Sequence, residues 1–221
     1  MVNRLKNGIV WIRTPKCATT TLSVHFEKFC KWKGMKYTPS TEHNFMPPTY
    51  YMNLGHLWGG SVNWDIVKIE KRGVMGSIRH PLDRFISHYK HNVEIDNRFK
   101  NYDINVSSFY LENFHNTHFE PMFRGMDNYL CKYLGVGDDK SWDMKLFDKR
   151  YNFIFITKYL KEGLENFEKI TGYNFQYKDF VTNTTSDTPQ IITDEFVSKF
   201  KENNKNDYEL YNYVLEKYGY R

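Results

Sequence analysis

Cysteine is scarce in this 221-residue chain: Cys17, Cys30 and Cys131 are odd in number and lack metal-ligand spacing, which argues against a disulfide framework or a thiolate metal site. Long apolar runs are missing as well. The longest, such as Phe153 to Ile156, fall far short of the roughly 20 residues that span a bilayer, and the opening MVNRLKNGIVWIRTPK meets charge before a signal-peptide apolar segment develops. The expectation is a cytoplasmic protein with no membrane association. Charge of one sign is nowhere concentrated. The net charge of +5 and pI of about 8.9 arise from Lys and Arg interleaved with Asp and Glu. The chain has no basic tail, Arg/Lys recognition cluster or zinc-finger spacing of the kind nucleic-acid binding uses. A nucleotide-sized anion suits this charge better than a nucleic acid. Internal repeats and low-complexity linkers are absent too, so residues 1–221 are expected to form a single domain with its own core.

What is abundant is aromatic: 18% of residues, with seventeen Phe and seventeen Tyr spread along the whole length, as in a densely packed globular protein. Gly8 to Ile12 is a short apolar run stopped by Arg13-Thr14-Pro15 and reads as a buried strand. A helix should follow from Thr19 or Thr20 to Lys33, because Leu22, Phe26, Phe29 and Cys30 make one apolar stripe and Gly34 supplies a stop. The same order recurs at Gly73–Arg79 with a helix from Pro81, and at Tyr151–Thr157 with a helix ending at Gly172. Asn101 to Tyr133 reads as helical. Lys178 to Gln190 reads as a polar loop, Thr193 as the cap of a helix through Phe200, and Asn206 with Glu209 as a capping box opening a last helix. Strands alternating with helices predict an α/β fold with a central parallel sheet flanked by helices.

A strand that turns tightly into a helix presents backbone N–H groups and the positive end of the helix dipole to whatever lies above it. Arg13 to Leu22 (R-T-P-K-C-A-T-T-T-L) has this form, with small residues for close backbone approach, hydroxyls at Thr19, Thr20 and Thr21, and a compact charge at Lys16. A Walker A loop needs its lysine after the loop, whereas Lys16 comes before it. A second segment, Arg79-His80-Pro81-Leu82-Asp83-Arg84-Phe85-Ile86-Ser87, also sits where a strand gives way to a helix. There an Arg at the strand end and a Ser two turns on could share one phosphate, while Arg84 could equally be a scaffold residue pairing with acids.

Together, P-K-C-A-T-T-T-L resembles the 5′-phosphosulfate loop, and R-H-P-L-D-R-F-I-S the 3′-phosphate motif, of sulfotransferases that use 3′-phosphoadenosine 5′-phosphosulfate (PAPS). The likeness extends to the carbohydrate branch that includes heparan 2-O-, chondroitin and dermatan enzymes. Its Gly-His pair is similar to Gly55-His56, its N-x-x-x-x-x-L-G pattern to Asn128 through Gly135, and its nucleotide-covering segment to Thr182, Asn183 and Thr184. The resemblance implies a three-layer P-loop-like fold, PAPS as co-substrate without a metal, and a hydroxyl acceptor, expected to be a carbohydrate. Arg13, Pro15, Lys16, Cys17, Ala18, Thr19, Thr20, Thr21, Arg79, Ser87, Thr182 and Asn183 would hold the donor. Lys16 would stabilise the departing phosphate and His56 would act as base, with His43 beside Glu42 as the substitute.

A P-loop kinase and a non-catalytic module for an anionic polymer are the competing readings. The pairs His88/His91 and His115/His118 read as solvated helix faces sooner than metal ligands, and Asp127 or Glu120 could meet acceptor hydroxyls. Cys17, at a helix N-terminus, would have its thiol pKa lowered by the dipole. Oligomeric state and acceptor identity are not legible.

Overall fold

The computed structural model describes residues 8–34, 36–38, 51–53, 62, 64–69, 71–95, 105–113, 126–175 and 190–220. In chain order these form β1 (Ile9–Ile12), α1 (Thr19–Lys33), β2 (Lys36–Thr38), β3 (Tyr51–Asn53), α2 (Trp64–Ile69), β4 (Gly73–Ile78) and α3 (Pro81–Ile95). There follow α4 (Val106–Ser108, continued by a π turn, Phe109–Asn113), α5 (Tyr129–Tyr133), α6 (Met144–Arg150), β5 (Phe153–Ile156), a 3-10 turn (Thr157–Tyr159), α7 (Leu160–Thr171), α8 (Asp194–Asn203) and α9 (Lys205–Tyr218). The strands make one parallel sheet in the order β2-β3-β1-β4-β5.

Alternation along β1, β4 and β5 sorts the core into two layers, because successive side chains leave a strand on opposite faces. Ile9, Trp11, Met75, Phe153 and Phe155 meet α1 and α7 on one face, through Leu22, Phe26, Phe29, Leu164 and Phe167. Val10, Ile12, Val74, Ile78, Ile154 and Ile156 meet α5, α6 and α9 on the other, through Leu130, Cys131, Phe147, Leu210 and Val214. Each such side chain contributes about 1.5–3 kcal/mol when buried. The aromatic members interlock edge to face, as Trp11 does with Phe26 at 4.8 Å between ring centroids. A Cβ on Gly76 would lie 2.9 Å from Ile154 Cδ1 and 3.3 Å from Leu134 Cδ2, so this glycine lets the segment after α5 lie close on the sheet. A third cluster packs α3 against α4 and α8 through Phe85, Tyr89, Phe109, Phe196 and Phe200.

The predicted helix stops hold: Gly34 and Gly172 adopt φ 65° and 74° at the ends of α1 and α7. Thr193 caps α8 by accepting the Phe196 N–H at 3.2 Å. The expected capping box at Asn206 does not form. The last helix starts at Lys205, Asn206 is buried and donates to the Asp138 carbonyl at 3.0 Å, and Glu209 accepts from Trp142 Nε1 at 3.2 Å. Tertiary partners took both polar groups. Within Asn101–Tyr133 the described residues are helical at α4 and α5, while the predicted loop 178–190 lies almost wholly outside them. No helix among the described residues is long and apolar enough to cross a membrane.

Candidate active site

Because the strands are all parallel, their carboxyl ends share one edge, and the strand order reverses direction at β1, where α/β proteins open a ligand crevice. Arg13 to Ala18 follow β1 on this edge, Arg79 and His80 follow β4, and Thr157 and Lys158 follow β5. Four of these residues are Lys or Arg, and no carboxylate directly follows any of the three strands.

The loop after β1 is held tight by hydrogen bonds from the Thr14 N–H to the Ile12 carbonyl and from the Cys17 N–H to the Thr14 carbonyl, both at 3.2 Å. Lys16 and Ala18 take left-handed φ values of 65° and 56°, which strain any residue bearing a Cβ by about 1–2 kcal/mol. Left-handed residues set between right-handed ones turn successive N–H groups into a concavity that fits an anion. Ala18 is also the N-cap of the fifteen-residue α1. It offers no side-chain cap, and the first turn of α1 holds no acidic residue, so no side chain of the helix itself quenches its positive pole. Thr19 and Thr21 are buried and Thr20 is exposed.

Cys17 points the other way. Its thiol is wholly buried, and burial pushes its pKa up to about 12 even though Arg84, Arg79 and the Arg79 backbone N–H draw it down. The expected lowering by the helix dipole is overturned because desolvation outweighs it. The Arg79 backbone N–H faces the Cys17 sulfur closely enough to lower its pKa, so the loop after β1 and the end of β4 adjoin there. Arg79 is half-buried, and Ser87 lies six residues after Pro81 on α3, 6% exposed. Arg13 is half-buried over the Trp11 ring at 5.3 Å, and burial lowers its pKa.

Arg84 turns inward. It is 1% exposed and stacks on the Tyr129 ring at 4.1 Å. Among the described residues it has no direct acid pair: Asp207 is within electrostatic reach, but the oxygens of this carboxylate accept the N–H groups of Leu130 and Cys131 at 2.8 and 2.9 Å. Burial raises Asp207 from 3.8 to about 6, against the pull of those N–H groups and of Arg84.

Sequence reasoning missed Tyr129, Tyr133 and Asp207, whose connection to the loop is purely tertiary. It also passed over His80, which is seated between the rings of Tyr208 and Tyr211 at 5.3 and 5.5 Å, with Asp83 Oδ1 3.8 Å from its Nδ1. Burial lowers the pKa of His80, so it favours the neutral form. Asn128 has a structural role: its amide bonds the Asn203 carbonyl and the N–H groups of Asn206 and Asp207, joining α5 to the α8–α9 corner. Asp127 is likewise engaged, accepting from Tyr110 Oη at 3.1 Å. No group of three His, Cys, Asp or Glu able to hold a metal occurs among the described residues, so His88 and His91 gain no third ligand there. His43, Gly55, His56, His115, His118, Glu120, Thr182, Asn183 and Thr184 lie outside the described residues.

A parallel sheet flanked by helices, with a strained left-handed loop at its switch point, defines an α/β protein of the P-loop-like kind. Residues 2–214 match the Sulfotransferase family. The chain belongs to that family and is a sulfotransferase. Among curated proteins none matches it.

Proposed function

We propose that the chain transfers the sulfuryl group of PAPS to a hydroxyl of a carbohydrate acceptor. The observation that carries the donor assignment is the approach of two phosphate-seeking segments: the left-handed loop at the head of α1 and the end of β4 meet at Cys17 and Arg79. In this reading the N–H groups from Ala18 to Thr21 and the Lys16 ammonium take the 5′-phosphate, the Cys17 N–H being held by the Thr14 carbonyl, while Arg79 and Ser87 take the 3′-phosphate that separates this donor from ATP. The bound donor supplies an activated sulfuryl group on a phosphate leaving group. Lys16 offsets the charge that develops on that phosphate, and the preformed loop does so without reorganising. Thr182 and Asn183 cover the nucleotide, and His56 accepts the acceptor's proton.

The carbohydrate assignment rests on the Gly55-His56 and Asn128-to-Gly135 patterns. Buried Leu134 and left-handed Gly135, at φ 66°, give the second pattern a physical reason. A kinase reading fits less well, because Arg79 stands directly after β4 where magnesium chemistry would use a carboxylate.

Calorimetry with adenosine 3′,5′-bisphosphate and with AMP tests the donor. Tighter binding of the bisphosphate is expected, and equal affinity would falsify the assignment. Labelled PAPS offered to a panel of glycans and small hydroxyl compounds then tests the acceptor. Activity is expected on a glycan, lost in Lys16→Ala and His56→Ala, and full activity of the His56 variant would move the base elsewhere.

A further inference from the structure

Arg84 is among the largest side chains wholly inside the protein. Its Nη2 reaches Met126 Sδ at 3.5 Å and its guanidinium lies on the Tyr129 ring, while Nε and Nη1 have no hydrogen-bond partner among the described residues. A thioether and a ring face replace little of the hydration that a guanidinium gives up on burial. The carboxylate within reach, Asp207, is already engaged by two backbone N–H groups, and the remaining charged neighbour, Arg79, is a second cation. An undercompensated buried cation destabilises a fold, and a hydrophobic side chain of similar volume is often neutral or better in such a place. This one lies within electrostatic reach of Cys17, a wholly buried residue of the loop after β1.

We propose that Arg84 is a positioning residue whose missing counter-charge is the anion bound in the loop, so that it strengthens donor binding from behind the loop without touching the donor. The inference rests on the donor site proposed above. It separates from a purely structural role because it trades stability of the ligand-free chain for affinity. A structural arginine does no such thing.

The test uses the full chain with Arg84→Met, uncharged and apolar, and Arg84→Lys, which keeps the charge. Thermal midpoints without ligand are compared, with calorimetric affinities for adenosine 3′,5′-bisphosphate and for pyrophosphate, which needs the loop but no adenosine, and with KM for PAPS against kcat. Expected is a ligand-free Arg84→Met that melts at or above the wild-type midpoint, binds both anions about tenfold or more weakly, and raises KM more than it lowers kcat, with Arg84→Lys recovering most of the affinity. The proposal is overturned if Arg84→Met fails to fold or melts well below wild type, if it binds both anions as wild type does, or if the lysine variant is as weak as the methionine one. Wild-type protein that binds pyrophosphate but does not prefer the bisphosphate over AMP would sink the donor reading and leave Arg84 to be judged on pyrophosphate. Binding of neither anion overturns both.

Discussion

Replacing Asn128 with alanine removes three side-chain hydrogen bonds at once, those to the Asn203 carbonyl at 3.0 Å and from the N–H groups of Asn206 and Asp207 at 3.0 and 3.3 Å. Asn128 is 3% exposed, so water does not readily replace them. At about 1 kcal/mol each the loss is about 3 kcal/mol. Asn128 also sits at φ 47°, where asparagine is tolerated and alanine carries roughly 1 kcal/mol more strain. The sum, about 4 kcal/mol, is a large share of the 5–15 kcal/mol typical of a domain and should lower the melting midpoint by about 10 °C. Differential scanning calorimetry on wild type, Asn128→Ala and Asn128→Gly measures this directly. Glycine loses the same bonds without the φ penalty, so it should melt a few degrees above alanine. An alanine variant melting within about 2 °C of wild type would refute the account of the α5–α9 junction, and a glycine variant no better than alanine would refute the backbone part.

Asp207 binds its proton more tightly in the folded chain, near pH 6, than at its ordinary 3.8. Its contribution to stability is therefore fully present below about pH 3.8 and is lost as pH rises through 6. Urea midpoints at pH 4.5 and 7 should show this loss, of order 2 kcal/mol, in the wild type and a much smaller one in Asp207→Asn. Equal pH dependence in the two proteins would remove Asp207 as the cause. Ala18→Gly relieves the left-handed strain at φ 56° and should raise stability by about 0.5–1 kcal/mol in denaturant titrations while leaving bisphosphate affinity within a few-fold of wild type. A destabilised Ala18→Gly would mean that the loop is not held in that conformation.

Helices α1 and α7 were legible because each combines an apolar stripe with a glycine stop, and β1, β4 and β5 because they are apolar runs buried on both faces. Strands β2 and β3, Lys-Tyr-Thr and Tyr-Met-Asn, have three residues each and no apolar run, so nothing in their composition announces the other half of the sheet. At the site, the loop and the Arg79–Ser87 segment could be read because each is a local strand-to-helix junction. The inward turn of Arg84, the burial of Cys17 and the approach of Tyr129 depend on segments far apart in the chain. The misplaced capping box at Asn206 has the same origin: a polar residue at a helix start suits a local cap or a distant carbonyl equally well, and only packing decides between them.

The bonds that Asp207 accepts from Leu130 and Cys131 in α5 also bear on the order in which the protein can be assembled as it leaves the ribosome. The two anion-seeking motifs lie within the first ninety residues, yet the helix that carries Tyr129 is anchored by Asn204 and Asp207 near the chain's end. A nascent chain holding both motifs would have the cations gathered but not their support. At the proposed donor site the cations are thus made early and the anchor of their supporting helix only once residue 207 has been made, so donor binding would follow synthesis past that point.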